Sequence, residues 1–355
     1  MNKKKLSLII SGCFWVLLAF GQTGTAKISK SDWDVFSENN EAAEMRDTLY
    51  AGKISLKLDS KKQAIAIRKS LSLKNFRIDL DVAGEVMSGI GFRAADHQNY
   101  HFLYFRPGYG GTREAIQYVP IYNGALSWVL YNYPIYETAA DIKKLEWFHV
   151  TMEVKGNNLK VFVNYNQTPQ MEIQLIDTDF NEGSILLRSM FGTSYFSNVM
   201  IRERPELLSE WEISDQFPRK PTLDLNAAVS SKTWTKVKAD QADVVNICRY
   251  IKQPDGVVAA RHTFNSDTDR EAILYFDFAG KLKIYLNGKE VFYYEKNKLD
   301  RIFNGTHQLV LNLKKGNNEL IFITEGDASF FGKGFNAMGR LQHQNWGFMA
   351  EIGKK

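Results

Sequence analysis

Cysteine is nearly absent: the 355 residues contain two, Cys13 and Cys248. Cys13 lies in an N-terminal apolar stretch, so removal of that stretch leaves no internal disulfide, and the fold must be held by its cores. A preponderance of one charge is missing as well. The formal net charge of +5 includes Lys3, Lys4 and Lys5, which leaves +2 for the rest of the chain. Nothing in that balance calls for nucleic acid or an anionic membrane as partner. No long amphipathic helical pattern interrupts the sequence. Gly108 to Gly111 is glycine-rich but lacks a following Lys-Ser/Thr and a helix, which excludes a phosphate loop.

The N-terminus speaks for export. After the three lysines, Leu6 to Phe20 is largely apolar, and the small residues Gly21, Gly24 and Ala26 follow. This is the pattern of a secretory signal peptide over residues 1–26, too short and poorly flanked to be a membrane span. Cleavage after Gly21 or Ala26 makes the mature protein secreted or periplasmic. Ile10-Ser11-Gly12-Cys13 also matches a bacterial lipobox. However, the apolar run before Cys13 is short, and Phe14 to Phe20 stays apolar where a lipoprotein turns polar.

What is abundant is period-two alternation. In Phe76 to Val82, Phe76, Ile78, Leu80 and Val82 point one way and Arg77, Asp79 and Asp81 the other, as in a strand with one buried and one wet face. About a dozen such segments lie between Trp33 and Arg204. They include Gly89–Ala94, His101–Phe105, Ser127–Tyr131, Trp147–Lys155, Leu159–Tyr165, Ser184–Arg188 and Tyr195–Arg202. Gly156-Asn157-Asn158 predicts a tight hairpin. A second strand-rich block runs from Thr222, with Ala272–Phe278, Lys281–Leu286, Glu290–Tyr294, His307–Leu313 and Asn318–Thr324, and Asn287-Gly288 is its strongest hairpin signal. The expectation is an all-β chain of two β-sandwich (jelly-roll) domains, 30–204 and 222–355. Residues 205–221, with Pro205, Pro218 and Pro221, read as a linker carrying a helical turn at Glu206–Glu212.

Three segments of the first block carry a family resemblance. They are Ser88-Gly89-Ile90-Gly91-Phe92-Arg93 with Asn99-Tyr100-His101-Phe102; Trp147-Phe148-His149-Val150 with Leu159-Lys160-Val161-Phe162-Val163-Asn164; and Gly183-Ser184-Ile185-Leu186-Leu187 with Tyr195-Phe196-Ser197-Asn198-Val199. The block resembles the concanavalin A-like lectin/glucanase sandwich in its laminin G-like branch, and the bacterial domain associated with 3-keto-disaccharide hydrolysis. In the second block, Lys283-Ile284-Tyr285-Leu286-Asn287-Gly288-Lys289-Glu290-Val291-Phe292 and Leu313-Lys314-Lys315-Gly316-Asn317-Asn318-Glu319-Leu320 resemble galactose-binding-like jelly rolls attached to secreted glycosidases and esterases. The resemblance implies carbohydrate ligands.

Enzymatic constellations are thin. Glucanases on this sandwich carry Glu-x-Asp-x-x-Glu, whose alternate positions aim two carboxylates at one cleft; no such run occurs here. Asp79 and Asp81 share a strand face without a third acid in register, and Thr151 and Glu153 share the outward face of another strand. The three acids read as solvated strand residues. His97 and His101, four apart, would lie about 13 Å from each other on an extended chain, too far to share a metal unless a turn at Gln98-Asn99 brings them together. Structural calcium in rim loops would draw on Asp96, Asn99, Asp177 and Asp179; no other cofactor is expected. Cys248, in a β-type apolar run, reads as a core residue.

Aromatics make up 13% of the chain, and they concentrate between Tyr109 and Tyr136. Sugar sites join an aromatic platform to planar amide or guanidinium groups. The candidate binding residues are Arg93, Arg106, Tyr118, Trp128 and Tyr131, with Arg340 and Trp346 in the C-terminal RLQHQNW segment as a second set. The sequence therefore reads as an exported protein of a glycan-utilising bacterium that binds an oligo- or polysaccharide. Two alternatives stand beside it: a glycoside or keto-sugar hydrolase whose active site converges only in the fold, and an adhesion or scaffold module that binds protein.

Overall fold

The computed structural model describes residues 29–37, 43–218, 225, 233–251, 256–298, 300–326 and 346–355. The expected signal segment 1–26 and Arg340 lie outside the described residues. The first domain is built from β1 (Trp33–Ser37), β2 (Glu44–Tyr50), β3 (Lys53–Arg68), β4 (Phe76–Gly84), β5 (Met87–Ala94), β6 (Tyr100–Phe105), β7 (Ile116–Tyr122), β8 (Ala125–Leu126), β9 (Glu137–Thr138), β10 (Phe148–Lys155), β11 (Asn158–Val163), β12 (Met171–Gln174) and β13 (Ser184–Glu203). The second holds β14 (Glu206–Leu207), β15 (Glu210–Ser214), β16 (Trp234–Lys238), β17 (Val245–Asn246), β18 (Gly256–Ser266), β19 (Arg270–Leu286), β20 (Lys289–Lys298), β21 (His307–Leu313), β22 (Gly316–Gly326) and β23 (Gly347–Lys354). Both domains are all-β, as the alternation predicts.

One long strand makes the first sandwich. β13 pairs with β5 through Met190 and then with β4 from Ser194 to Glu203, and between the two, at Met190/Gly192, its register with β3 shifts. β3 accompanies it along both halves. The two strands therefore pass from one layer into the other. The first layer runs β12-β11-β10-β4-β13, and the second continues β13-β5-β6-β7-β8. Phe76, Ile78, Leu80 and Val82 of β4 meet Leu103 and Phe105 of β6 in the core between them. β19 does the same in the second domain, pairing with β21 and β23 up to Ala279 and with β20 and β22 beyond it. Trp211, Phe276, Phe322 and Phe348 fill that core.

Two expectations are overturned. Ser127–Tyr131 is not a strand: Trp128–Leu130 forms a 3-10 turn, because Gln117 Nε2 donates to the carbonyls of both Trp128 and Tyr131 and coils the segment around itself. The stretch 205–221 is not merely a linker, nor is Glu206–Glu212 a helical turn. β14 pairs with β23 and β15 with β16 and β18. Trp211 and Ile213, two apart, are both buried in the second core, so period two outweighs the neighbouring prolines. The two hairpins are as expected: Lys155 pairs with Asn158 around Gly156-Asn157, and Asn287 and Gly288 take φ of 50° and 78°.

Candidate active site

The face of the first layer turned away from the core carries polar side chains in register. Antiparallel pairing sets His149 opposite Asp81, Thr151 opposite Asp79 and Glu153 opposite Arg77. On the other side of β4, Ser197 pairs with Asp81 and the register then slips before Met200 pairs with Asp79. That bulge puts Asn198 at φ 51° and re-aims its amide, which donates to Asp81 Oδ2 at 2.6 Å. Lys53, at the start of β3, reaches the same oxygen at 2.7 Å.

Asp81 is thus the hub. It is only 2% exposed, and its Oδ1 lies 2.8 Å from His149 Nδ1. Burial would raise its pKa, but the hydrogen bonds from His149, Lys53 and Asn198 bring it down to about 2. A carboxylate only accepts, so Nδ1 carries the proton and Nε2 is the basic nitrogen. Nε2 faces Thr151 Oγ1 at 3.4 Å and Asp79 Oδ1 at 4.0 Å. Thr151 donates its own proton to Asp79 at 2.7 Å. A proton arriving at Nε2 therefore meets an acceptor oxygen, and the imidazolium would lie between two carboxylates. Asp79 is itself clamped by both arms of Arg77 at 2.8 and 2.9 Å. Burial opposes ionisation there too, yet the Arg77 and Thr151 hydrogen bonds hold its carboxyl below the ordinary range.

Aromatic rings wall this cluster. Tyr165 lies flat on the His149 imidazole, with centroids 4.0 Å apart and planes 10° from parallel. Beside Lys53, whose Nζ sits 5.2 Å above the Trp147 ring, Tyr50 stacks on Tyr195 at 3.7 Å and meets Trp147 edge-on at 5.7 Å. The polar stripe continues down the sheet. Glu153 receives Arg77 at 2.9 Å and Arg204 at 2.7 Å and borders a cleft of about 620 Å³ between the domains. There Lys155 bridges to Asp243 at 2.5 Å and Glu351 at 2.9 Å in the second domain.

The residues expected to bind sugar do not converge. Arg93 and Tyr118 are enclosed. Arg93 donates to the carbonyls of Lys74 and Gly156, and the Tyr118 hydroxyl meets His101 Nδ1 at 2.7 Å. Trp346 is 2% exposed in the second core and donates to Thr324, which leaves no face for a ligand. Arg106 pairs with Glu114 and covers the Tyr109 ring at 3.8 Å. Tyr131 packs on the outer apolar cluster. Among the described members of the set, Trp128 alone presents a large open surface, 51% exposed. Asp79 and Asp81, read as solvated, are buried, as is Thr151, because each lies between strands that supply partners.

Among the described residues no group of three His, Cys, Asp or Glu side chains is placed to hold a metal. The Asp96 carboxylate is taken by the amides of Gln98 and Asn99 in its own turn. His97 stacks on Phe36, well separated in environment from buried His101.

Residues 27–202 match the 3-keto-alpha-glucoside-1,2-lyase-like domain. The matched stretch is the first sandwich and contains every residue of the Asp81–His149 cluster. No curated protein matches the chain. Among solved structures, the carbohydrate-binding module CBM66 of Bacillus subtilis is 18% identical with a TM-score of 0.39, over 48% of this chain and 96% of its own. A galectin-like protein of unknown function from Bacillus subtilis is 8% identical (TM-score 0.36, 49% and 90%). A glycosyl hydrolase family protein from Mycobacterium fortuitum is 12% identical (TM-score 0.33, 50% and 94%). At these scores the architecture rests on the chain's own strand pairing.

Proposed function

We propose that the first domain acts on 3-keto-glucosides by proton abstraction, with His149 as base. The observation that carries this reading is the 2.8 Å Asp81–His149 contact on a face walled by aromatic rings. A ketone at C3 of a glucoside acidifies the proton on C2. His149 Nε2 takes that proton, the C2–H electron pair forms an enolate, and the C1–O bond then breaks with its electrons leaving on the aglycone oxygen. As the enolate returns to the ketone its electron pair becomes a C1=C2 double bond, and the departing aglycone oxygen takes a proton from solvent water. Asp81 fixes the tautomer and stabilises the imidazolium, and Lys53 offers a cation beside the site for the developing enolate oxygen. The two-carboxylate route of glycosidases is disfavoured, because it requires one acid held protonated, whereas Asp79 and Asp81 are both held ionised. The name of the matching family supports the substrate class.

The test is release of aglycone from a 3-keto-glucoside by the wild type and by His149→Gln. Positioned general bases contribute about 10²–10⁴-fold, so the variant should fall by that range while remaining folded. Turnover that survives the substitution within a factor of about three would remove His149 from this role.

A second reading, saccharide binding without turnover, draws on Trp128 and its open ring. Glycan titration that loses affinity in Trp128→Ala but not in His149→Gln favours it. In either case the lysines and apolar run at residues 3–20 support export, which N-terminal sequencing of secreted material checks. A mature chain beginning at Gln22 or Lys27 fits cleavage of the signal segment, and one beginning at an acylated Cys13 overturns it.

A further inference from the structure

Tyr165 occupies a position that its backbone does not suit. The β11 strand ends in the turn Val163-Asn164-Tyr165-Asn166, closed by Asn166 N–H to Val163 C=O at 3.1 Å. Its two central residues take φ of 52° and 62°. This is the left-handed pair of a type I′ turn, where asparagine is at home in the first place and glycine in the second. A tyrosine in the second place is strained, since its Cβ crowds the following carbonyl. Burial does not repay the strain in the usual way, because Tyr165 is 70% exposed. What the ring does touch is His149, face to face at 4.0 Å. The turn is also tied to that residue: Asn164 Oδ1 accepts from His149 N–H at 3.2 Å, and Asn164 N–H reaches His149 C=O at 2.9 Å. On its other side Asn164 Nδ2 donates to Asp141 C=O at 3.0 Å. Strained backbone persists where the surrounding structure over-determines it, and such residues cluster at functional sites.

We infer that Tyr165 is a positioning residue of the site: its phenol ring holds the His149 imidazole plane and keeps water off one face of the base. Asp81 anchors the imidazole at Nδ1, while at Nε2 it has only the long 3.4 Å contact with Thr151, and a flat ring on one face restrains the remaining tilt of its plane. A hydrocarbon face over the imidazole also lowers the local dielectric around the proton transfer. The role rests on His149 being the base, but it has a readout that does not.

The experiment compares wild type, Tyr165→Gly and Tyr165→Phe. Glycine relaxes the turn, so the melting temperature of Tyr165→Gly should stay level or rise, whereas a ring retained for packing predicts a fall of several degrees. Diethyl pyrocarbonate labelling, resolved at His149 by peptide mass spectrometry, should quicken at least fivefold in Tyr165→Gly and stay at the wild-type rate in Tyr165→Phe. On a 3-keto-glucoside, kcat of Tyr165→Gly should drop about tenfold with its alkaline and acid limbs displaced, and Tyr165→Phe should recover it. Unchanged labelling of His149, or a lower melting temperature with unchanged kcat, overturns the inference. A wild type inert on every keto-glucoside sinks the proposed reaction instead, and the labelling and melting results then decide alone whether Tyr165 covers His149.

Discussion

Asp81 must stay ionised if it is to orient His149, and three donors converge on it to keep it so. Asp81→Asn keeps the shape and removes the charge. The amide can donate to His149 and favour the wrong tautomer, so turnover should fall on the order of 10²-fold or more; equal rates would separate Asp81 from the chemistry. His101 shows the opposite case, a titratable side chain retained for packing. Burial and the nearby Arg93 push its pKa down to about 3, against about 6.5 unfolded. Below pH 6.5 the unfolded chain binds a proton that the folded chain refuses, so stability declines as pH falls from 6.5 toward 3, by up to about 1.4 kcal/mol per pH unit. Urea melts of wild type and His101→Gln at pH 7, 5 and 4 check this: the variant should show the shallower slope, and identical slopes would contradict it. Trp128, exposed on its 3-10 turn, is outside the core, so Trp128→Ala should cost about 0.5 kcal/mol or less rather than the 3–5 kcal/mol typical of a core tryptophan. A calorimetric melt distinguishes the two.

At the scale of elements, the bent strands are the weak points because they belong to both layers. Gly183 precedes β13 and pairs with Leu73. A Cβ there would press into the Ala94 carbonyl group, backbone that cannot rotate away. Gly183→Ala should therefore cost about 1–3 kcal/mol by overpacking, although the residue touches nothing in the site. Gly288, at φ 78°, meets no neighbour, so Gly288→Ala should cost only the left-handed backbone term, about 1–2 kcal/mol. Denaturant midpoints of the two variants test this order. If Gly183→Ala is neutral, the close approach at the start of β13 is slack. The bulge at Ser197/Met200 shows how an element makes a site, since a slip in pairing turns Asn198 onto Asp81.

Across the whole molecule, Lys155 is the joint between the domains. Burial alone would lower the pKa of its ammonium, but Asp243 and Glu351 outweigh that and hold it above the ordinary value. With its side chain 37% exposed, Lys155→Ala should remove only about 1 kcal/mol, but it leaves Glu351 without this partner and should loosen the coupling. Calorimetry should show a broader or more divided melt than that of the wild type, and an unchanged melt would mean that Lys74–Glu206 and Lys354–Glu203 suffice. The all-β character, the strand faces and the two hairpins were legible in the chain because alternation and turn chemistry are local, readable within a dozen residues. That Asp79 and Asp81 share a face was legible for the same reason. Their burial was not, since it depends on β10, which lies 68 residues along the chain at His149, and on β13, 117 residues along at Asn198. The aromatic segment around Trp128 looked like the site because composition is all that sequence displays of a surface. The hairpin at Gly156-Asn157 by itself sets Asn164 opposite His149; that the Tyr165 ring turns back onto the imidazole was decided by the conformation of one strained turn and by the contacts around it, which no local pattern encodes.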